Sequence, residues 1–119
     1  MLHGIAIFLG GGLGAALRWL VTLKIHRFWG TFTVNVLGAF LIGVLYQYIA
    51  QHPNFRPAAK LFLMTGLLGG FTTFSTYILD FVNLYQSGRM SGAVLYLVAS
   101  VCVGVLALLA GMRAGAWIG

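Results

Sequence analysis

Apolar residues fill four long stretches, roughly 2–23, 32–49, 61–85 and 93–118, and most charged residues gather at their ends or in the short connections between them. Each stretch is long enough to cross a hydrocarbon core of about 30 Å as a helix, which takes about 20 residues. The pattern therefore predicts an all-α integral membrane protein: one domain, 1–119, of four transmembrane helices. One place disturbs the apolar rhythm. The run Gly66-Leu-Leu-Gly69-Gly70-Phe71-Thr72-Thr73-Phe74-Ser75-Thr76-Tyr77 lies near the middle of the third stretch. A double glycine followed by so many hydroxyls is a poor membrane helix unless protein or an ion meets the freed backbone. We expect the third helix to be broken at mid-membrane depth.

The polar residues inside the spans fall into stripes. Thr31, Asn35, Ala39 and Gly43 recur every four residues and share one helix face. Asn35 carries amide donors that cannot stay unpaired in hydrocarbon, so it either bonds a neighbouring helix or faces a water-filled path. Phe74 and Tyr77 are three apart, with Ser75 and Thr76 between them. Such rings either pack a core or turn their electropositive edges toward a small anion, where several weak donors permit both binding and release. Tyr96, Ser100 and Gly104 form a second stripe on the fourth span, whose Ser100 hydroxyl either faces the first stripe or bonds back to its own helix. Around Gly69 to Thr72, a break would expose carbonyl oxygens, hard ligands that suit sodium; the alternative is a glycine kink sealed by the threonine hydroxyls.

Charge adds two residues. Arg18 lies one turn inside the end of the first span, where it snorkels to the interface or lines a positive vestibule. Asp80, the single acid of the chain, belongs near a water-filled mouth or beside a basic partner.

Composition narrows the function classes. The chain is 61% hydrophobic and 7% charged, more apolar than a soluble domain of 119 residues hides in a core. A net charge of +6 would point to nucleic acid in a soluble protein. Here the basic residues stand singly at span ends and fit lipid headgroups instead. The one cysteine, Cys102, cannot form an intrachain disulfide. The first span ends in Lys24-Ile-His-Arg27 with no small-residue cleavage site, so it reads as a retained span. Gly10 to Ala15 matches a loose dinucleotide pattern, but no strand precedes it. The histidines are scattered over a terminus and two loops, and no nucleophile has a paired base. Nothing points to an enzyme.

Orientation is nearly undetermined by charge. Arg56, Lys60 and Arg113 fall on one face, against Lys24, Arg27 and Arg89 on the other. Such balance fits a chain inserted in both orientations. An antiparallel homodimer would then supply the inverted symmetry that many transporters build from internal repeats. Gly10 and Gly14 form a GxxxG pair, and Gly38, Ala39 and Gly43 add small residues; these serve contact between copies or packing within one chain.

Gly-Gly-Phe-Thr-Thr-Phe-Ser-Thr-Tyr at 69–77, Thr-Val-Asn at 33–35, Gly-Ala-Ala-Leu-Arg-Trp at 14–19 and the four-span layout resemble the small bacterial fluoride channel family known as Fluc or CrcB. The resemblance covers essentially the whole chain. It implies a dual-topology antiparallel homodimer in the bacterial inner (plasma) membrane, with two pores that passively release cytoplasmic fluoride and a sodium ion held at the centre. By motif, Phe74 and Tyr77 would be the pore aromatics and Asn35 the amide donor. Ser75, Thr76, Thr31, Tyr96 and Ser100 would be the polar track, Gly69 and Thr72 would offer carbonyls to sodium, and Arg18 would stand at the vestibule. Tyr77 replaces the usual Phe, Asp80 replaces a glutamate, and Gly104 stands where relatives can carry Ser. Two other readings compete. A small multidrug-resistance exporter would need a glutamate in its first span, and this span has no acid. A noncatalytic assembly subunit would bury its polar stripes against a partner.

Overall fold

The computed structural model describes all residues, Met1–Gly119, and is entirely helical. In order come α1 (Leu2–Lys24), α2 (Phe28–Ala50), α3 (Pro57–Lys60), a π-helical segment (Leu61–Leu68), α4 (Gly69–Phe71), α5 (Ser75–Gln86) and α6 (Met90–Ile118). Four units are long and apolar enough to cross a membrane: α1, α2, the composite third span Pro57–Gln86, and α6. The molecule is a slab of about 52 × 30 × 21 Å.

Span ends differ from the hydropathy pattern by a few residues. Phe28 begins α2 four residues before the apolar stretch becomes continuous, and Pro57 opens α3 at a first-turn position where its fixed φ suits a helix and its missing N–H costs nothing. The π segment was not legible, because its i→i+5 ladder involves ordinary membrane-helix residues such as Leu61, Phe62 and Leu63.

The third span breaks, but not at its glycines. Gly69, Gly70 and Phe71 remain helical, and the chain turns extended at Thr72 (φ −88°, ψ 160°), so the interruption is Thr72–Phe74. The expected exposure of backbone around Gly69 to Thr72 is thus shifted toward the threonines. Gly70 is small for another reason: a Cβ there would collide with the carbonyl of Gly11 on α1.

Close approach is the rule along this seam. A Cβ at Gly14 would strike the backbone of Leu67, and one at Gly10 would lie 2.9 Å from the Leu67 nitrogen. The GxxxG pair therefore packs α1 onto the first half of the third span within one chain. A second seam joins α2 to α6, where Gly43 meets the Leu108 carbonyl and Gly111 meets the Phe40 carbonyl. In lipid, where burying apolar side chains between helices gains little, such backbone-close contact supplies the dispersion energy that holds helices together.

Only 16 of 119 residues are buried, so most of each helix faces outward, as a membrane chain allows. The buried cluster Tyr77, Leu84, Ala93 and Tyr96 lies where α5 meets α6, flanked by Phe28, Phe32, Phe81 and Leu97.

Candidate functional site

The break is stitched to α2 by a side chain that imitates a backbone partner. Asn35 accepts from the Thr73 N–H at 2.8 Å through Oδ1 and donates through Nδ2 to the Thr73 carbonyl at 2.9 Å. Of the two alternatives that the sequence left for Asn35, the bond to a neighbouring helix is made, and one amide N–H remains over.

These bonds change which carbonyls are free. In an unbroken helix the Thr73 N–H would serve the Gly69 carbonyl, and the Thr76 N–H that of Thr72. Here Thr73 is diverted to Asn35, and Thr76 donates to the Thr73 hydroxyl at 3.3 Å. The carbonyls of Gly69, Phe71 and Thr72 lose their helical donors across the break and gain no other donor in the chain. The Gly70 carbonyl between them is taken by the Arg18 guanidinium, whose Nε donates to it at 3.1 Å. Thr72 seals the preceding turn by donating its hydroxyl to the Leu68 carbonyl, so the threonine seal and the freed carbonyls coexist.

Three clefts lead to this point. The inner one, about 390 Å³, is lined by Asn35, Gly69, Thr72, Thr73, Phe74, Tyr77, Ser100 and Val101. The next, about 420 Å³, includes Arg18, Arg27, Thr31, Thr73, Thr76 and Asp80. An outer cleft of about 250 Å³ includes Arg27, Asp80, Asn83 and Ser87. Thr73 is common to the first two, and Arg27 and Asp80 to the last two. Side chains from α1, α2, α5, α6 and the break thus line three neighbouring clefts.

The residues singled out in the sequence take different places among these clefts. Asn35, Phe74, Tyr77 and Ser100 meet in the inner cleft with Gly69 and Thr72. Thr31 and Thr76 line the middle cleft beside Arg18 and Asp80, which gives Arg18 a place in a polar cavity as well as a backbone partner. Ser75 is an exposed residue at the start of α5. Tyr96 stands apart from the clefts, 6% exposed, with its hydroxyl donating to Asp80 Oδ2 at 3.3 Å. Asp80 is therefore bonded to a hydroxyl rather than to a basic side chain. Ser100 does not bond back to its helix; its buried Oγ has no hydrogen-bond partner in the chain.

The two aromatics are unlike. Phe74 is 74% exposed, whereas Tyr77 is 6% exposed with its hydroxyl donating to the Leu97 carbonyl. Their ring centroids are 6.0 Å apart. Sequence reasoning missed Thr73 and Arg27 as lining residues. Thr73 lay in the hydroxyl-rich run that signalled the break; Arg27 gave no comparable signal, since its left-handed φ of 62° and its guanidinium over the Phe28 ring are tertiary features.

No group of three or more His, Cys, Asp or Glu side chains converges in the chain, so a hard cation at the break would rely on carbonyl and hydroxyl oxygens. The freed Gly69 and Thr72 carbonyls have the right chemistry for that, although one chain supplies few of them.

Comparison with known proteins agrees with the layout. Residues 5–112 match the family model described as CrcB-like protein, Camphor Resistance (CrcB). The fluoride-specific ion channel FluC of Agrobacterium fabrum is 41% identical over 112 positions, 89% of this chain and 90% of its own length. Those of Rhizobium meliloti and Phocaeicola vulgatus are each 42% identical, over 94% of both chains in the first case and 89% of this chain and 92% of the relative in the second. With its four apolar spans, this chain is a multi-pass membrane protein and belongs to the CrcB-like family.

Proposed function

We propose that this chain is a passive fluoride channel that releases the anion from bacterial cells, working as an antiparallel homodimer with two pores. The carrying observation is the inner cleft, where a leftover Asn35 amide proton, the unpartnered Ser100 hydroxyl and the exposed ring of Phe74 meet. These are weak, neutral donors and ring edges. They replace part of the hydration shell of a small anion without the grip of a full positive charge, so the ion can also leave. Arg18 and Arg27, farther out, raise the local anion concentration.

The assembly follows from what one chain leaves open. Phe74 presents its ring outward, and a second copy would give the cleft its other wall. Balanced basic residues favour neither orientation, which supports antiparallel pairing. At the two-fold axis the freed Gly69 and Thr72 carbonyls of both copies would surround a structural sodium ion, which would supply electrostatic glue between them. No energy source is required: a negative-inside potential favours outward movement of an anion by about 2.3 kcal/mol per 100 mV.

Purified protein in liposomes tests this reading. We expect fluoride efflux with chloride largely excluded, and loss of flux in Phe74→Ile with the dimer retained. Equal permeability to the two anions, or undiminished flux in Phe74→Ile, defeats it. Crosslinking that captures only parallel neighbours defeats the antiparallel assembly.

A further inference from the structure

The C-terminal half of α1 carries different chemistry on two faces. Ala15, Arg18, Trp19 and Thr22 line the middle cleft. Leu17, Leu20, Val21 and Lys24 recur at steps of three and four on another face, where with Ile25 and Phe71 they border a groove of about 350 Å³. Five of these six side chains are apolar. Phe71 is buried and belongs to α4, so the groove runs between α1 and the end of the first half of the third span. Lys24 stands exposed in the last turn of α1, and Ile25 just beyond it is extended (φ −110°, ψ 113°).

Acyl chains gain nothing from the hydrophobic effect by entering such a groove, because lipid tails are as apolar as its walls. A lipid stays there longer than its neighbours only through packing against fixed side chains and through its headgroup. The Lys24 ammonium, at a span end, offers the headgroup contact. No acid lines the groove to neutralise it. A second copy of the chain does not neutralise it either, because its one acidic side chain, Asp80, lines the middle and outer clefts and accepts from Tyr96. The occupant that complements the groove therefore joins an apolar tail to a negative charge of its own. Its position has a consequence for the break. Phe71 is the last residue of α4, a helix of three residues packed on α1, and the chain turns extended at Thr72 immediately after it.

We propose that an anionic phospholipid occupies the groove between α1 and α4, with an acyl chain against Leu17, Leu20, Val21 and Phe71 and its phosphate at Lys24, and that it braces the end of α4 where the span breaks. None of these side chains lines the polar clefts, so the site stands independently of the ion path proposed above.

The detergent-purified protein is titrated with phosphatidylglycerol or with phosphatidylcholine of the same chains. Native mass spectrometry counts the lipids retained, and hydrogen–deuterium exchange follows residues 69–72. The wild type should hold one phosphatidylglycerol per chain about fivefold more tightly than phosphatidylcholine, the ratio that one lysine beside an anionic headgroup supplies. That lipid should slow exchange at 69–72, and unaltered exchange overturns the bracing. Lys24→Gln should bring the two lipids level, whereas Lys60→Gln, at the start of the third span, should keep the preference. Equal retention of both lipids by the wild type, or equal effects of the two substitutions, overturns the contact at Lys24. Inorganic phosphate should leave exchange at 69–72 unchanged; slowing equal to that by the lipid overturns the lipid as occupant. Val21→Phe fills the groove, keeps Lys24 and should release the lipid. Retention of the lipid overturns the groove as its seat, and loss of the dimer with the lipid still held gives the groove to a second copy and overturns the proposal. Should Val21→Phe fail to fold, Leu20→Trp, at an exposed position, decides by the same readouts.

Discussion

The seam between α1 and the first half of the third span, and the break that follows it, lie within a few residues of each other and treat the backbone in opposite ways. Along the seam Gly10, Gly14, Gly66 and Gly70 bring main chains into contact and leave no space for an ion. At Thr72–Phe74 the main chain departs from the helix, and side chains from other spans receive its polar groups. A gap is tolerable at membrane depth only where protein satisfies the backbone. The seam thus anchors one half of the span, and the break opens the cleft beside it.

The largest effect should come from filling the seam. Gly14→Leu puts a side chain where even a Cβ would collide with the Leu67 backbone, so the cost should exceed the about 1–3 kcal/mol typical of overpacking and abolish monodisperse protein. Gly4→Leu, with nothing within 4 Å of its Cβ, should leave size-exclusion behaviour unchanged. A well-behaved Gly14→Leu would mean that α1 and the third span are not held in backbone contact at Leu67.

Next comes the stitch across the break. Asn35→Ala removes two hydrogen bonds, each contributing about 1 kcal/mol net, and should lower resistance to denaturant unfolding by about 2 kcal/mol while sharply reducing fluoride flux. Loss of flux with full stability would make Asn35 an ion donor only, and loss of stability with full flux would make it a stitch only.

Arg18→Gln should have the smallest effect. It removes the charge and weakens the link to the Gly70 carbonyl, yet Arg18 is only partly buried. Initial efflux should fall less than in Asn35→Ala. The deficit should shrink as salt is raised, because exposed charges are screened beyond about 8 Å at 0.15 M ionic strength. A deficit independent of salt would assign Arg18 to holding the break rather than to attracting anions.

The four spans were legible because hydropathy acts residue by residue: a stretch such as 93–118 must be helical and apolar whatever its neighbours do. The stripes carrying Asn35 and Ser100, and the presence of a break near the hydroxyl-rich run, follow equally from local periodicity and composition. The place of the break did not follow, since Gly69 and Gly70 weaken a helix in isolation but remain helical here, where α4 packs on α1 and Gly70 meets the Gly11 carbonyl.

Partnership was decided by the tertiary structure. That Arg18 reaches Gly70, that Asn35 takes both backbone groups of Thr73, and that Asp80 bonds Tyr96 instead of a basic residue all join positions 16 to 52 residues apart. Phe74 and Tyr77 make the same point at short range, one exposed and the other enclosed by α6. The sequence by itself determined that this is a four-span membrane protein with polar groups at depth that require partners. Only the packing of the spans determined which partners they found, because a hydrogen bond depends on where two helices meet, and no single helix contains that information.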